Sequence, residues 1–407
     1  MSASQVMNIC QQDDCTACEA CVSVCPVNAI GMVTNEKGFL FPVINDDQCI
    51  HCGLCQKACP ANATECIPGN SIEKTVYAAW IKDAHVRSES SSGGLFSAIA
   101  QSVLDEGGVI FGARWTNEFA VVIDYCTDAE GLKKFRGSKY VQARTNDSYL
   151  KAKKFLEDGR KVLFSGTPCQ ITGLTSYLGR EYSNLITIDL VCHGVPSPMV
   201  FRDYLQFMEK QFNERIVRVF FRYKKPAWSS CSVRIDFERT TYVNSTTRDP
   251  YFIGFNDCYF LRECCHRCKY ANLNRLSDMT IADFWGYRAT IWRMRDFHKG
   301  CSLLIPNTLK GTRVFQTISR SGLIFEERSI DEAIRGNLSL IKPYAKAERS
   351  DAFWKDYLVL RDFGAAVYCY FPPAKISFFR TLHRLKDRYM FLVPESVLSF
   401  IRRARRR

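Results

Sequence analysis

The chain has 407 residues, of which 46% are hydrophobic and 24% charged, and its formal net charge is +13. These values describe a chain with a large core and exclude a disordered, collagen-like or low-complexity protein. Its 20 cysteines are too sparse for a disulfide scaffold and too many for ordinary usage, so they point to metal ligation in a reducing compartment.

The opening stretch, MSASQVMNICQQDD, lacks the basic and apolar regions of a secretory signal. No segment approaches the roughly 18 uninterrupted apolar residues of a membrane span. The expected location is therefore the cytoplasm. Residues 1–70 hold two Lys and no Arg against seven acidic residues, whereas residues 375–407 hold ten basic against two acidic. An acidic head, a basic body and a strongly basic tail are three different surfaces.

Residues 15–30 read CTACEACVSVCPVNAI and residues 49–64 read CIHCGLCQKACPANAT. Both carry C-x2-C-x2-C-x3-C-P, and every cysteine recurs 34 residues later. Three thiolates on a short loop grip one iron–sulfur cube. The fourth, followed by Pro and expected to start a helix pointing away, ligates the other cube. This assigns Cys15, Cys18, Cys21 and Cys59 to one 4Fe–4S cluster, and Cys49, Cys52, Cys55 and Cys25 to a second. Zinc sites usually pair two C-x2-C groups across a longer spacer, which fits this repeat poorly. His51 reads as a surface residue, and Cys10 and Cys66 as small apolar residues. Residues 1–68 are thus an α+β ferredoxin-like dicluster domain, and 69–75 a linker.

Next comes a strand at 76–82, then a Ser/Gly loop entering a helix over 90–108, with Leu95, Ile99 and Val103 on one face. Strands follow at 109–115 and 120–126. A helix at 146–159 leads to a strand at 161–166. A second helix starts near Cys169, before a strand at 185–192 and a helix at 197–212. This alternation predicts an α/β domain with a mixed sheet over 76–345, in which RIVRVFFRYK and SVRIDFER pair as an antiparallel hairpin. Cys169, Cys192, Cys264, Cys265 and Cys268 fall in loops near strand ends, where chemistry concentrates. Spacing alone leaves open whether they bind a third cluster, zinc or nothing. SSGG at a helix mouth suits a pyrophosphate, or is a plain helix entry. Lys139 could meet a phosphate or flavin carbonyl, or be a solvated turn residue.

Residues 346–407 are expected to be a helical, basic C-terminal region. Ile376, Phe379, Leu382 and Leu385 recur at helical spacing, and arginines gather at the end. The segment suits the inner face of an anionic membrane or, the favoured reading, a helix packed on the body with a solvated end. No nucleic-acid module is recognised.

The motifs SSGG (91–94), GSKYVQA (137–143), GTPCQ (166–170), DLVCHGVPSP (189–198), CHRCKYA (265–271) and DMTIADFWG (278–286) run in one order. In this the body resembles the coenzyme F420 hydrogenase/dehydrogenase beta-subunit family. The spelling is similar to that of the bacterial branch associated with surface-polysaccharide pathways. The resemblance implies FAD near Ser92, Gly93, Gly94, Lys139, Gly166 and Thr167. It also implies a third 4Fe–4S cluster on Cys169, Cys192, Cys265 and Cys268, with Cys264 as a possible substitute for Cys265. His193 and Asp283 are candidate acid or base residues, and a structural hydrogen bond is the competing reading of His193. The expected function is an iron–sulfur flavoprotein oxidoreductase. It would relay electrons between a small-molecule hydride donor or acceptor, F420 among them, and ferredoxin or another redox protein. The alternative is an electron-transfer subunit or polysaccharide-pathway accessory protein with no substrate site of its own.

Overall fold

The computed structural model describes residues 8–63, 74–320 and 322–370. Cys66 and the basic segment 375–407 lie outside the described residues. The head forms one antiparallel hairpin, β1 (Ile30–Thr34) and β2 (Leu40–Ile44), with the short helices Ala20–Val24 and Leu54–Lys57. The body strands are β3 (Val76–Ile81), β4 (Val109–Trp115), β5 (Val121–Cys126), β6 (Ala143–Arg144), β7 (Val162–Gly166), β8 (Leu185–Leu190), β9 (Ile216–Tyr223), β10 (Ser232–Phe237), β11 (Thr241–Ser245), β12 (Met279–Asp283), β13 (Ser302–Pro306) and β14 (Leu323–Arg328).

Nine of these strands form one sheet in the order β14-β3-β13-β12-β8-β7-β4-β5-β6. β12, β8, β7 and β4 run parallel, and antiparallel strands flank them. The expected mixed sheet is therefore present. Its successive apolar residues go to alternate faces, because neighbouring side chains leave a strand in opposite directions. Leu163 and Ile110 join a core with Leu95, Ile99 and Val103 from the helix Leu95–Asp105. Val162, Phe164, Val109 and Phe111 join the opposite core, beneath the helices Ser148–Glu157 and Pro168–Leu178. Both faces are covered, so these strands read as continuous apolar runs. The expected hairpin of β9 and β10 forms, and β11 extends it to a separate three-stranded sheet.

One local expectation is corrected. No helix leads away from Cys25; the helix Ala20–Val24 runs into it and ends there. Pro26 has no N–H to donate, and Asn28 at φ 53° turns the chain back into β1. After Cys59 a single 3-10 turn forms, Pro60–Asn62.

The head packs on the body. Cys18 and Ala20 belong to the same apolar cluster as Val109 and Phe164. The Thr145 hydroxyl donates to the Cys18 carbonyl at 2.9 Å, and its N–H donates to the buried Glu19 carboxylate at 3.1 Å. Lys269 donates to the Pro60 carbonyl, and the Ser197 hydroxyl to that of Lys37 at 2.6 Å.

Candidate functional site

The two cysteine loops repeat in backbone as well as sequence. Ala17 and His51 both sit at φ 53°, and Glu19 and Gly53 at φ 62° and 71°. Left-handed backbone costs a non-glycine residue about 1–2 kcal/mol. Here it turns an N–H inward: Ala17 donates to the Cys15 sulfur and His51 to the Cys49 sulfur, each at 3.4 Å. Loops that aim N–H groups at thiolates suit an anionic cluster.

Cys15, Cys18, Cys21 and Cys59 line one small cavity, so a cysteine of the second run joins three of the first. Burial pushes the Cys18 thiol up to about 12. Cys55 lies near Cys49 and Cys52 and shares an apolar cluster with Cys25. Cys10 lines the cavity too. Its thiol hydrogen-bonds Cys15 and Cys59 and holds both below the ordinary thiol value. Cys10 is thus more than the small apolar residue expected. It lies outside both runs, so no spacing signal marked it. His51 is exposed, as expected, with Nδ1 4.0 Å from the Cys49 sulfur. Among the described residues, no three His, Cys, Asp or Glu side chains converge as a single-ion site. A cube differs, because it spaces its thiolates around its own volume.

In the body, the parallel strands β7, β8 and β12 end at one edge of the sheet. Gly166 leads into Thr167 and Cys169, Leu190 into Cys192 and His193, and β12 ends on Asp283. These residues line one cavity of about 1010 Å³, together with Cys264, Cys265 and Cys268. Burial pushes the Cys192 thiol up to about 12 and raises Cys169 and Cys268. The Cys264 thiol, followed by burial, raises Cys265. Such thiols stay protonated until a metal displaces the proton. The Thr167 hydroxyl is 3.1 Å from the Cys169 sulfur. Arg275 lies buried beside Cys192 and Cys268 and pairs with Asp189 at 3.5 Å.

The head and body thiols meet across one helix. A Cβ on Gly173 would lie 2.9 Å from the Cys18 Cβ, and Cys169 opens the same helix. Buried Tyr270 lies within electrostatic reach of Cys169, Cys268, Cys18 and Cys59, and its hydroxyl has no hydrogen-bond partner.

Ser92, Gly94 and Lys139 also line this cavity, with Gly166 and Thr167. The helix Leu95–Asp105 starts there with no side-chain cap, leaving its first N–H groups unsatisfied by side chains. The Ser92 hydroxyl donates to the Cys301 carbonyl at 2.7 Å. Gly93 faces the sheet instead: its N–H donates to the Ser302 hydroxyl at 2.8 Å, and a Cβ would meet the Ala79 carbonyl at 2.4 Å. The Lys139 amine lies within hydrogen-bonding distance of the carbonyls of Lys134, Phe135, Arg136 and Gly137, which share its N–H groups, and burial lowers it to about 7. Gln142 Oε1 and Arg222 Nε border the cavity without a partner. An uncapped helix start and orphaned polar atoms fit a polar, phosphate-bearing cofactor such as FAD.

The two candidate acid or base residues are internally engaged. His193 Nε2 is 3.1 Å from the Phe255 carbonyl, its ring packs on Tyr344, and burial lowers it to about 4. Asp283 accepts from Arg222 at 3.0 Å and from the Trp228 indole at 2.7 Å.

A dicluster head joined to a cysteine-lined cavity defines an iron–sulfur redox protein. The comparisons agree. A model of the coenzyme F420 hydrogenase/dehydrogenase beta-subunit N-terminus matches residues 76–151, and that of the C-terminus matches residues 159–332. Two 4Fe–4S dicluster domain models match residues 14–63 and 41–92. The chain belongs to the coenzyme F420 hydrogenase/dehydrogenase beta-subunit family, with a 4Fe–4S dicluster domain at its head. Among solved structures it is similar to a chain of the F420-reducing nickel–iron hydrogenase complex from Methanosarcina barkeri. The identity is 15% and the TM-score 0.42, over 72% of this chain and 91% of that chain. No curated protein matches significantly. Among the described residues, no helix is long and apolar enough to cross a membrane.

Proposed function

We propose that the chain is an iron–sulfur flavoprotein oxidoreductase. It exchanges a hydride with F420 or another small molecule and passes electrons singly to or from a ferredoxin-like protein. The observation that carries this reading is one cavity shared by the body cysteines and the uncapped SSGG helix start. FAD, when bound, supplies the conversion between two-electron and one-electron transfer. The N–H groups of Leu95, Phe96 and Ser97, with Ser92, Gly94 and Arg136, would hold its pyrophosphate. Gly166 and Thr167 would border its ring, with Gln142 and Arg222 offering an acceptor and a donor. Cys169, Cys192, Cys265 and Cys268 would hold the third cluster, and the eight head cysteines the other two.

A second reading is an electron-transfer subunit or polysaccharide-pathway accessory protein with no substrate site. The internal bonds of His193 and Asp283 favour it, because neither side chain is left free for proton transfer. Anaerobic iron, sulfide and flavin counts on the wild type and Cys169→Ala separate the readings. The proposal expects about twelve irons and about one flavin per chain, with about four irons lost in C169A. About eight irons without flavin would reject it in favour of the second reading. Unchanged iron in C169A would reject the body ligands.

A further inference from the structure

Arg262 is 1% exposed. Its Nε donates to the Cys15 carbonyl at 2.7 Å, and neither Nη atom has a hydrogen-bond partner. The guanidinium covers the Phe41 ring at 4.2 Å and reaches Phe39 at 5.5 Å, both in the head. Its own backbone belongs to the body, where its N–H donates to the Val195 carbonyl at 2.9 Å. One body cation is therefore inserted beneath the inner thiols of the head.

Burying a guanidinium with two unpaired nitrogens is strongly unfavourable unless an anion answers it. The sulfurs of Cys15, in the head, and Cys264, in the body, are among the groups within its electrostatic reach. The outer thiols lie in a different setting: Cys52 is exposed and Cys49 half-buried. Reduction adds one negative charge to a cluster. A fixed cation in a dry site therefore favours the reduced form of the nearer cluster.

We propose that Arg262 is a positioning residue that raises the reduction potential of the cluster held by Cys15, Cys18, Cys21 and Cys59 above that of the outer head cluster. The inner cluster then becomes the place where an electron waits between head and body. The inference rests on the cluster ligation proposed above.

The test is a potentiometric titration followed by EPR on the full chain, after iron and sulfide counts, with Arg262→Gln and Arg262→Lys beside the wild type. R262Q, keeping about eight head irons, is expected to reduce at least tenfold less favourably at one head cluster, about 59 mV for one electron. R262K should restore most of that shift. Unchanged midpoints in a loaded R262Q would overturn the inference. If R262Q loses iron, the wild type decides. The head signal altered by Cys15→Ser must have the higher midpoint, and an equal or lower one overturns the inference. A wild type without head clusters would overturn the ligation itself, a result distinct from equal midpoints in a loaded chain.

Discussion

Lys224 shows how a single residue reports the dryness of the interior beside the cavity. Its amine donates to the carbonyls of Arg87, at 2.6 Å, Ser92 and Lys299. Burial first, and then the nearby Arg87 charge, lowers its pKa to about 7. Its ordinary value near 10.5 holds in the unfolded chain. Below pH 7 both states carry the proton, and the penalty of burying the charge is fully present. Above it the folded state releases the proton first, so stability rises with pH until the unfolded chain also titrates. Wild type should therefore gain on Lys224→Met by about 1–2 kcal/mol between pH 7 and 9 in denaturant titrations. A stability difference independent of pH would show that the three carbonyls keep the amine charged.

At the scale of elements, the helix Pro168–Leu178 joins the two halves of the candidate relay. Thr167 and Gln170 cap its start, Cys169 lies in its first turn, and Gly173 in its middle admits Cys18. Gly173→Ala would place a methyl 2.9 Å from the Cys18 Cβ and 2.9 Å from the Tyr149 hydroxyl. Overpacking of this kind costs about 1–3 kcal/mol. The expected result is a less stable chain with slower electron exchange between body and head, read by denaturant unfolding and stopped-flow reduction. Unchanged values in both would mean that the contact is not close in solution. The strands and helices that meet this joint were legible from periodicity and from Gly and Pro punctuation. β6, β11, β12, β13 and β14 were not, because runs of two to six residues carry too little periodicity to separate a strand from a loop in a single sequence.

Over the whole molecule, an acidic head is seated on a basic body. A net charge of +13 would steer an acidic partner of the kind proposed above, and salt would screen that attraction within about 8 Å at 0.15 M. Reduction by an acidic ferredoxin should slow about tenfold or more between 0.01 M and 0.3 M salt, as followed by stopped-flow absorbance. A salt-independent rate would mean that partner choice does not use this charge.

The sequence by itself determined the dicluster head, because three of each cluster's four proposed ligands sit on one short loop. Four cysteines at set spacing and a 34-residue repeat are written along the chain. It also indicated the family through six ordered motifs. Only the tertiary structure decided which distant residues share a wall. It brought Cys169, Cys192, Cys265 and Cys268 to one cavity, turned Gly93 away from it, and committed Lys139 to four carbonyls. It also set Cys10 against Cys59 and drove Arg262 under Cys15. Those contacts join residues as many as 247 positions apart. Packing between separate elements, rather than periodicity within one, sets them.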